Sequence, residues 1–358
     1  MSSIWIIVAF LLGFLIVFQI AKASEYVGIL KGEEKTRQES NHVNGFLLLA
    51  FLVIGLFGVW YCNHTLKDKI LGEPASDHGV RIDTMLYITL AITFLVFVIT
   101  QVALFWFAYK YQEKEGRKAY YFPHNNKLEL IWTVIPAITL TVLVGFGLYY
   151  WYEITGEAPE NAQIIEVTGS QFKWEFRYPG ADGKLGKKYY REINEAKNNP
   201  LGQVWTDPDN HDDIVASQDV HLVVNKPVKF IIYSKDVIHD FGLAHFRMKM
   251  DAVPGIPTTM WFTPRFTTRE MKEKNSDEFT YEISCDQICG RGHFSMRGTI
   301  IVESQAEYDV YMSKLKPQYA IAMEAEKGNP VIPSPAGDST KQKPVAAATS
   351  TTGVAAIH

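Results

Sequence analysis

The 358-residue chain has only three cysteines, too few for a disulfide framework to be the source of its stability. No Cys-x-x-Cys-His stretch occurs, so no c-type heme is attached covalently to it. A surplus of positive charge is missing as well: 35 Lys and Arg stand against 39 Asp and Glu, for a net charge of -4. That balance argues against nucleic acid as a partner. No Lys or Arg precedes the first apolar run, so the charged start of a secretory signal peptide is lacking. Ala21-Lys22-Ala23 resembles a processing site only loosely, and we expect the run to be retained.

Long apolar runs, by contrast, are plentiful. Four of them, near residues 4–20, 45–61, 85–109 and 128–151, approach or exceed the ~20 helical residues needed to cross a hydrocarbon core of about 30 Å. Aromatic side chains gather at their ends (Trp60 and Tyr61, Tyr109 and Tyr111, Tyr149 to Trp151), where rings meet lipid headgroups. Lys22, Lys31, Lys35 and Arg37 lie between the first two runs, and Lys110, Lys114, Arg117, Lys118 and Lys127 between the last two. Positive residues mark cytoplasmic connections, so both termini and the region after Trp151 are expected outside, in a bacterial periplasm. Loss of the first span would invert that placement. The expected division is two additional N-terminal helices (1–61), a periplasmic loop (62–84), a helical hairpin (85–151), a periplasmic domain (152–317) and a flexible Ala-, Pro-, Ser- and Thr-rich tail (318–358).

In the periplasmic region the pattern shortens to alternating stretches bounded by Gly, Pro and Asp. Strands are predicted at 163–168, 171–178, 219–224, 228–234, 258–262, 278–285 and 298–303, which reads as an antiparallel sandwich or barrel. The polar stretch 179–217 reads as a long excursion from it.

Between the last two of these strands stand Cys285, Cys289, His293 and Met296. A disulfide in an oxidising compartment, a structural Cys2His2 zinc site and an unliganded cluster are the alternatives for such a set. Thiolate, imidazole and a weak thioether together favour copper of the electron-transfer kind, and the second cysteine can bridge a pair of coppers. A second histidine must come from elsewhere. His239, just after the strand 228–234, is the best placed, ahead of His245; His211 and His221 fit the excursion and a strand surface.

Three motifs in order resemble subunit II of cytochrome c oxidase, of the heme–copper oxidase superfamily. Leu128-Glu129-Leu130-Ile131-Trp132-Thr133-Val134-Ile135-Pro136 is similar to the opening of the family's second membrane helix. Asp236-Val237-Ile238-His239 with Lys249-Met250-Asp251-Ala252-Val253-Pro254-Gly255 resembles the segment of the first copper histidine. Cys285-Asp286-Gln287-Ile288-Cys289-Gly290-Arg291-Gly292-His293-Phe294-Ser295-Met296 resembles the dinuclear copper loop, CuA. The resemblance covers roughly residues 85–303. It implies a cupredoxin-like Greek-key β-barrel on a transmembrane hairpin, preceded here by two additional helices. Cys285 and Cys289 would bridge the coppers, and His239 and His293 would each bind one. Met296 and the carbonyl of Gln287 would be weak ligands.

The same resemblance implies electron acceptance from cytochrome c, and transfer to heme in subunit I for reduction of oxygen to water with proton translocation. Glu129 would stand at the entry of a proton channel. Two departures matter. Gln287 replaces a glutamate that in many members helps bind magnesium at the subunit I interface, which weakens the magnesium expectation. Phe172 replaces a tryptophan at the electron-entry surface, in Gln171-Phe172-Lys173-Trp174-Glu175-Phe176. Phe172 and Trp174 are therefore candidates both for electron entry and for barrel packing, and the donor is expected to be a membrane-bound or complex-bound cytochrome c domain. Expected partners are subunit I and other oxidase subunits, membrane lipid, and a respiratory supercomplex contacting the two extra spans. The rivals are a quinol oxidase subunit II, which lacks the copper ligands, nitrous oxide reductase, which needs a second catalytic domain, and a membrane-anchored copper-delivery protein.

Overall fold

The structure, a computed structural model, describes residues 2–67, 70 and 72–328. Four long helices come first: α1 (Ser2–Lys31), α2 (Glu33–Leu66), α3 (Asp77–Lys110) and α4 (Asn126–Ile154). Apolar side chains lie all round them and point outward, Phe94, Leu95, Ile135 and Leu140 among them. A helix apolar on every side needs an apolar surrounding, and all four are long and apolar enough to cross a membrane. Ser76 caps α3 by accepting from the Gly79 N–H at 2.8 Å, and Asn125 caps α4 by accepting from the Leu128 N–H at 3.1 Å. Pro136 lies inside α4, as membrane helices tolerate.

The two connections among the first three helices are largely helical. The charged stretch after the first span is almost wholly helical, broken only at Gly32, whose φ of +89° suits a residue without a side chain. Good helix formers and the Lys22–Glu25 pair at i,i+3 carry α1 beyond its apolar part. The segment 62–84, expected as a periplasmic loop, begins as the end of α2 and ends as the first turns of α3. Its middle is strapped onto the β domain. The Ala75 N–H donates to His245 O at 2.9 Å, the Arg265 N–H donates to Ala75 O at 2.9 Å, and the Ser76 hydroxyl donates to Phe246 O at 2.7 Å. Arg247 grips Asp83 through Nε and Nη2, both at 3.0 Å.

The domain contains β1 (Gln163–Ser170), β2 (Lys173–Tyr178), β3 (Ile214–Ser217), β4 (Asp219–Val223), β5 (Val228–Ser234), β6 (His239–Leu243), β7 (Met248–Ala252), β8 (Thr258–Phe262), helix α5 (Thr268–Lys274), β9 (Tyr281–Cys285) and β10 (Gly298–Glu303), then helices α6 (Gln305–Ser313) and α7 (Gln318–Gly328). One sheet runs β3-β2-β1-β5-β8 and the other β4-β10-β9-β6-β7. Their inner faces enclose one core in which Trp174, Phe176, Phe230, Phe241, Phe246, Phe262 and Tyr281 are fully buried. The expected all-antiparallel arrangement is corrected, since β1 pairs parallel with β5 and β4 parallel with β10. These pairings lie between strands distant in sequence, which local alternation does not reveal.

The excursion after β2 is folded back around a buried side chain, Arg177. The tail expected to be flexible from residue 318 begins instead as α7. Its first residue is anchored by Gln318 N–H to Asp213 O at 2.9 Å, and Tyr319 stacks on His211 with ring centroids 4.1 Å apart. The remainder, 329–358, lies outside the described residues.

Candidate metal centre

Register brings the candidate ligands to one rim. β6 and β9 run antiparallel with Phe241 opposite Cys285, and His239 precedes Phe241 by two residues on the same face. The loop from residue 286 to 297 then returns His293 and Met296 over the strand ends. Cys285 Sγ lies 3.9 Å from His239 Nδ1, 3.8 Å from Cys289 Sγ and 3.2 Å from the Gln287 carbonyl oxygen. Cys289 Sγ in turn lies 3.7 Å from His293 Nδ1 and 3.8 Å from Met296 Sδ. Six donors from two separated stretches of chain thus surround one small volume.

The donor set fits a soft metal and does not fit the alternatives as well. A sulfur separation of 3.8 Å is far beyond the ~2.05 Å of a disulfide, and both cysteines are free. It is close to the ~3.7 Å between two sulfurs each about 2.3 Å from a shared ion at the tetrahedral angle. Cys285, Cys289 and His239 are buried, and their donor atoms lie within 4.8 Å of one another. Burial and the neighbouring Cys285 thiol push the Cys289 thiol up to about 11. Two adjacent thiolates repel each other, so deprotonating both requires a cation between them. Met296, fully buried with its sulfur turned inward, adds a thioether that zinc sites do not use.

The ring of His239 is held from behind. Its Nε2–H donates to Asp236 Oδ1 at 2.8 Å, which leaves the Nδ1 lone pair free to face the sulfurs. Burial alone would raise the Asp236 carboxyl, but hydrogen bonds from the Gln171 N–H and from His239 outweigh it and hold it low. Trp174 meets the imidazole edge-on at 6.0 Å, and Gly169 leaves the room: a Cβ there would come within 3.0 Å of His239 Cδ2. Replacing Asp236 by alanine is expected to weaken copper binding about 10- to 100-fold, the usual cost of losing such a support. Chelator competition on the full-length chain measures this, and an unchanged affinity would show the ring needs no support.

Gly169 and the supporting role of Asp236 escaped the sequence reading, although Asp236 stands in the motif of the first histidine. The available signal was an acid three residues before the chosen histidine. Among the other histidines, His245 packs against Phe279 and Tyr281, His221 lies on Tyr311, and His211 lies on Tyr319, all away from the cysteines. Phe172 and Trp174 separate. Trp174 is 0% exposed and packs on Phe241, so it offers no surface to an electron donor. Phe172 is half-buried and covers the metal loop, where a Cβ on Gly292 would fall 2.4 Å from its ring. The charge of Lys173 beside it is balanced by Glu175 and Glu195. The Gln287 side chain is exposed at the rim, between Asp286 and an exposed Ile288. Glu129 lies far off in the first turns of α4, where its Oε1 accepts from the Asn125 N–H at 3.4 Å.

Together, these features define a membrane-anchored protein with a donor set suited to copper on the rim of a cupredoxin-like β domain. Two family models match the chain: the transmembrane domain of cytochrome c oxidase subunit II over residues 76–149, and the periplasmic domain of the same subunit over 163–305. The alternative cytochrome c oxidase subunit 2 of Bradyrhizobium diazoefficiens is 33% identical over 276 residues, covering 75% of this chain and 91% of the relative. Cytochrome c oxidase subunit 2 of Thermostichus vulcanus is 26% identical over 312 residues, covering 80% of this chain and 88% of the relative. Among solved structures, the periplasmic domain of cytochrome oxidase subunit II from Bradyrhizobium japonicum is 21% identical with a TM-score of 0.31, covering 44% of this chain and 96% of that one. The chain belongs to the cytochrome c oxidase subunit II family, and is a subunit of an oxidoreductase complex that it forms with other oxidase subunits.

Proposed function

We propose that the rim site holds a dinuclear CuA centre that takes electrons from a cytochrome c and hands them to heme in subunit I. The observation that carries this is the pair of unbonded, buried sulfurs 3.8 Å apart with an imidazole nitrogen 3.7–3.9 Å from each. Two bridged coppers sharing one electron supply a charge change spread over both ions. The protein supplies rigidity: five of the six donors come from the end of β9 and the short loop after it, and the sixth, His239, starts a strand paired on both sides. Small rearrangement between redox states is what a packed rim provides. A copper-delivery protein would expose an incomplete set, whereas here the thiols and the thioether are buried. Metal analysis of the purified complex is expected to find about two coppers per chain at this site, with mixed-valence electron paramagnetic resonance; one copper with a mononuclear spectrum would sink the reading.

Phe172 and the exposed Ile288 and Phe294, each of the latter two 82% exposed, form the surface above the centre. We assign the donor side to a cytochrome c domain held at the bacterial inner membrane or within a complex, and the extra helices α1 and α2 to supercomplex contacts. The exposed amide of Gln287 offers an oxygen to magnesium at the subunit I interface, with less charge than a glutamate would. Residues 1–61, 85–151 and 152–317 serve as extra anchor, hairpin and electron-transfer domain.

Glu129 is assigned to proton entry at the cytoplasmic end of α4. Replacing it by alanine is expected to lower proton-coupled turnover about 10-fold, less than the ~100-fold or more of a group inside a proton-transfer transition state. The copper spectrum should be unchanged. Glu129→Gln keeps the acceptor for Asn125 and removes the charge, so normal turnover in that variant would reduce Glu129 to a helix cap.

A further inference from the structure

The turn between β1 and β2 holds Gln171 at the metal rim, although that turn supplies none of the six donors. The Gln171 side-chain Nε2–H donates to the Cys289 carbonyl oxygen at 2.5 Å. Its main-chain N–H donates to Asp236 Oδ2 at 2.8 Å, and the other oxygen of that carboxylate accepts from His239 Nε2 at 2.8 Å. One residue from a third stretch of chain is thus bonded toward both stretches that carry the donors.

Little else holds the metal loop. Its main-chain bonds are internal: the His293 N–H donates to Gly290 O at 3.2 Å, the Ser295 N–H to Gly292 O at 3.0 Å and the Met296 N–H to His293 O at 3.2 Å. Among the described residues, the Gln171 amide makes the only hydrogen bond joining residues 287–296 to chain outside 285–297. That bond needs the two backbones to come close. Gly290 allows it, with a φ of +136° and no side chain; an added Cβ would lie 2.8 Å from Gln171 Nε2.

On the reading of the rim as a dinuclear copper site, we infer that Gln171 is a positioning residue for that centre. It clamps the loop of Cys289, His293 and Met296 against the segment of His239, and it helps set the reduction potential. Two physical effects follow from the one amide. Without the clamp, the loop is free to open as a unit. The amide N–H also points its positive end at the Cys289 peptide, and a fixed donor there favours the reduced centre, which carries one more negative charge. Groups behind the ligands commonly tune a metal in this manner.

The test compares Gln171→Met and Gln171→Glu with the unaltered protein, in the intact oxidase complex and in the metal-free full-length chain. Gln171 is an exposed turn residue, so neither change burdens the core. Methionine keeps the length and bulk and removes the donor; glutamate keeps the shape and turns an acceptor toward the carbonyl. One internal hydrogen bond is worth about fivefold in a local equilibrium. In Gln171→Met the copper count should stay at that of the unaltered complex. Its reduction potential should fall by ~40 mV, a fivefold shift at 59 mV per tenfold for one electron. In the metal-free chain, hydrogen exchange of the amides at 290–296 should be about fivefold faster. Gln171→Glu should shift both quantities in the same direction and further. A role in space-filling alone would leave Gln171→Met at the unaltered values, and an unchanged or raised potential overturns the inference. Metal analysis of the unaltered complex keeps the two readings apart. One copper there sinks the dinuclear site, whereas unchanged exchange in the metal-free Gln171→Met chain sinks the clamp whatever the copper count.

Discussion

A Cys289→Ser subunit is expected to lose the metal centre while keeping the fold. Cys289 Sγ lies within 3.8 Å of Cys285 Sγ, His293 Nδ1 and Met296 Sδ, so three of the contacts that assemble the site converge on this one atom. A serine hydroxyl is a hard donor that does not ionise near neutral pH, and soft copper discriminates against it. No other residue of the loop can bridge in its place. Copper per chain should fall from about two to one or none, and the mixed-valence spectrum should vanish. Oxygen consumption of the complex should drop by at least ~100-fold, beyond what loss of a supporting hydrogen bond costs. The fold should hold, because exchanging one small buried side chain for another costs about 1–3 kcal/mol in desolvation of the hydroxyl. A native gel showing assembled complex separates loss of metal from loss of subunit. Two coppers retained with normal turnover would show that Cys289 is not a bridge.

How much of this was readable in advance follows from what each feature depends on. The cluster in the metal loop was legible because it is local: Cys285, Cys289, His293 and Met296 stand at short steps, and the structure brings their donor atoms together. The strands Val228–Ser234, Thr258–Phe262 and Gly298–Glu303 were legible residue for residue, being β-branched or aromatic and bounded by breakers. β6 and β7 were not. They carry His239, Asp240, Gly242, Lys249 and Asp251, poor strand formers, and β6 is buried at every position by its neighbours in the sheet. Its identity is imposed by tertiary contacts. The parallel pairings, the strap at residues 72–83 and the docking of α7 all join segments far apart in the chain, so no window of sequence contains both halves. His239 is intermediate: position after a strand pointed to it, but only the β6–β9 register places it beside Cys285.

The same distinction makes Arg177 the side chain whose loss should unsettle the domain most, although nothing in its local sequence marks it. It is almost completely buried, and its guanidinium donates to Glu166 Oε2 at 2.6 Å, Asp213 Oδ2 at 2.9 Å, Asn210 Oδ1 at 3.1 Å and the Gly186 carbonyl at 2.9 Å. One fork thus ties β2 to β1 and to both ends of the excursion. Glu166 is shared with Lys188 at 2.5 Å, so the buried charges balance only while Arg177 is present. Burial pushes the Asp213 carboxyl up to about 6 even with the guanidinium beside it. Arg177→Met keeps much of the volume and removes the charge. The cost of breaking a buried pair from one side is about 3–5 kcal/mol, a large part of the roughly 5–15 kcal/mol that holds a domain together. The urea midpoint of the full-length chain, followed by near-ultraviolet circular dichroism, should fall accordingly. Its pH dependence carries the mechanism. A carboxyl whose folded pKa lies above its unfolded value binds its proton more tightly in the native state, so its contribution to stability is lost as pH rises through the folded pKa. Without Arg177 the Asp213 pKa rises further. The variant should therefore be weakest above about pH 7 and recover part of its deficit toward pH 5. Arg177→Met/Asp213→Asn should recover part of it at every pH. A loss under about 1 kcal/mol, or a deficit independent of pH, would mean that the excursion is held by its Asn and Gln hydrogen bonds rather than by the buried charge.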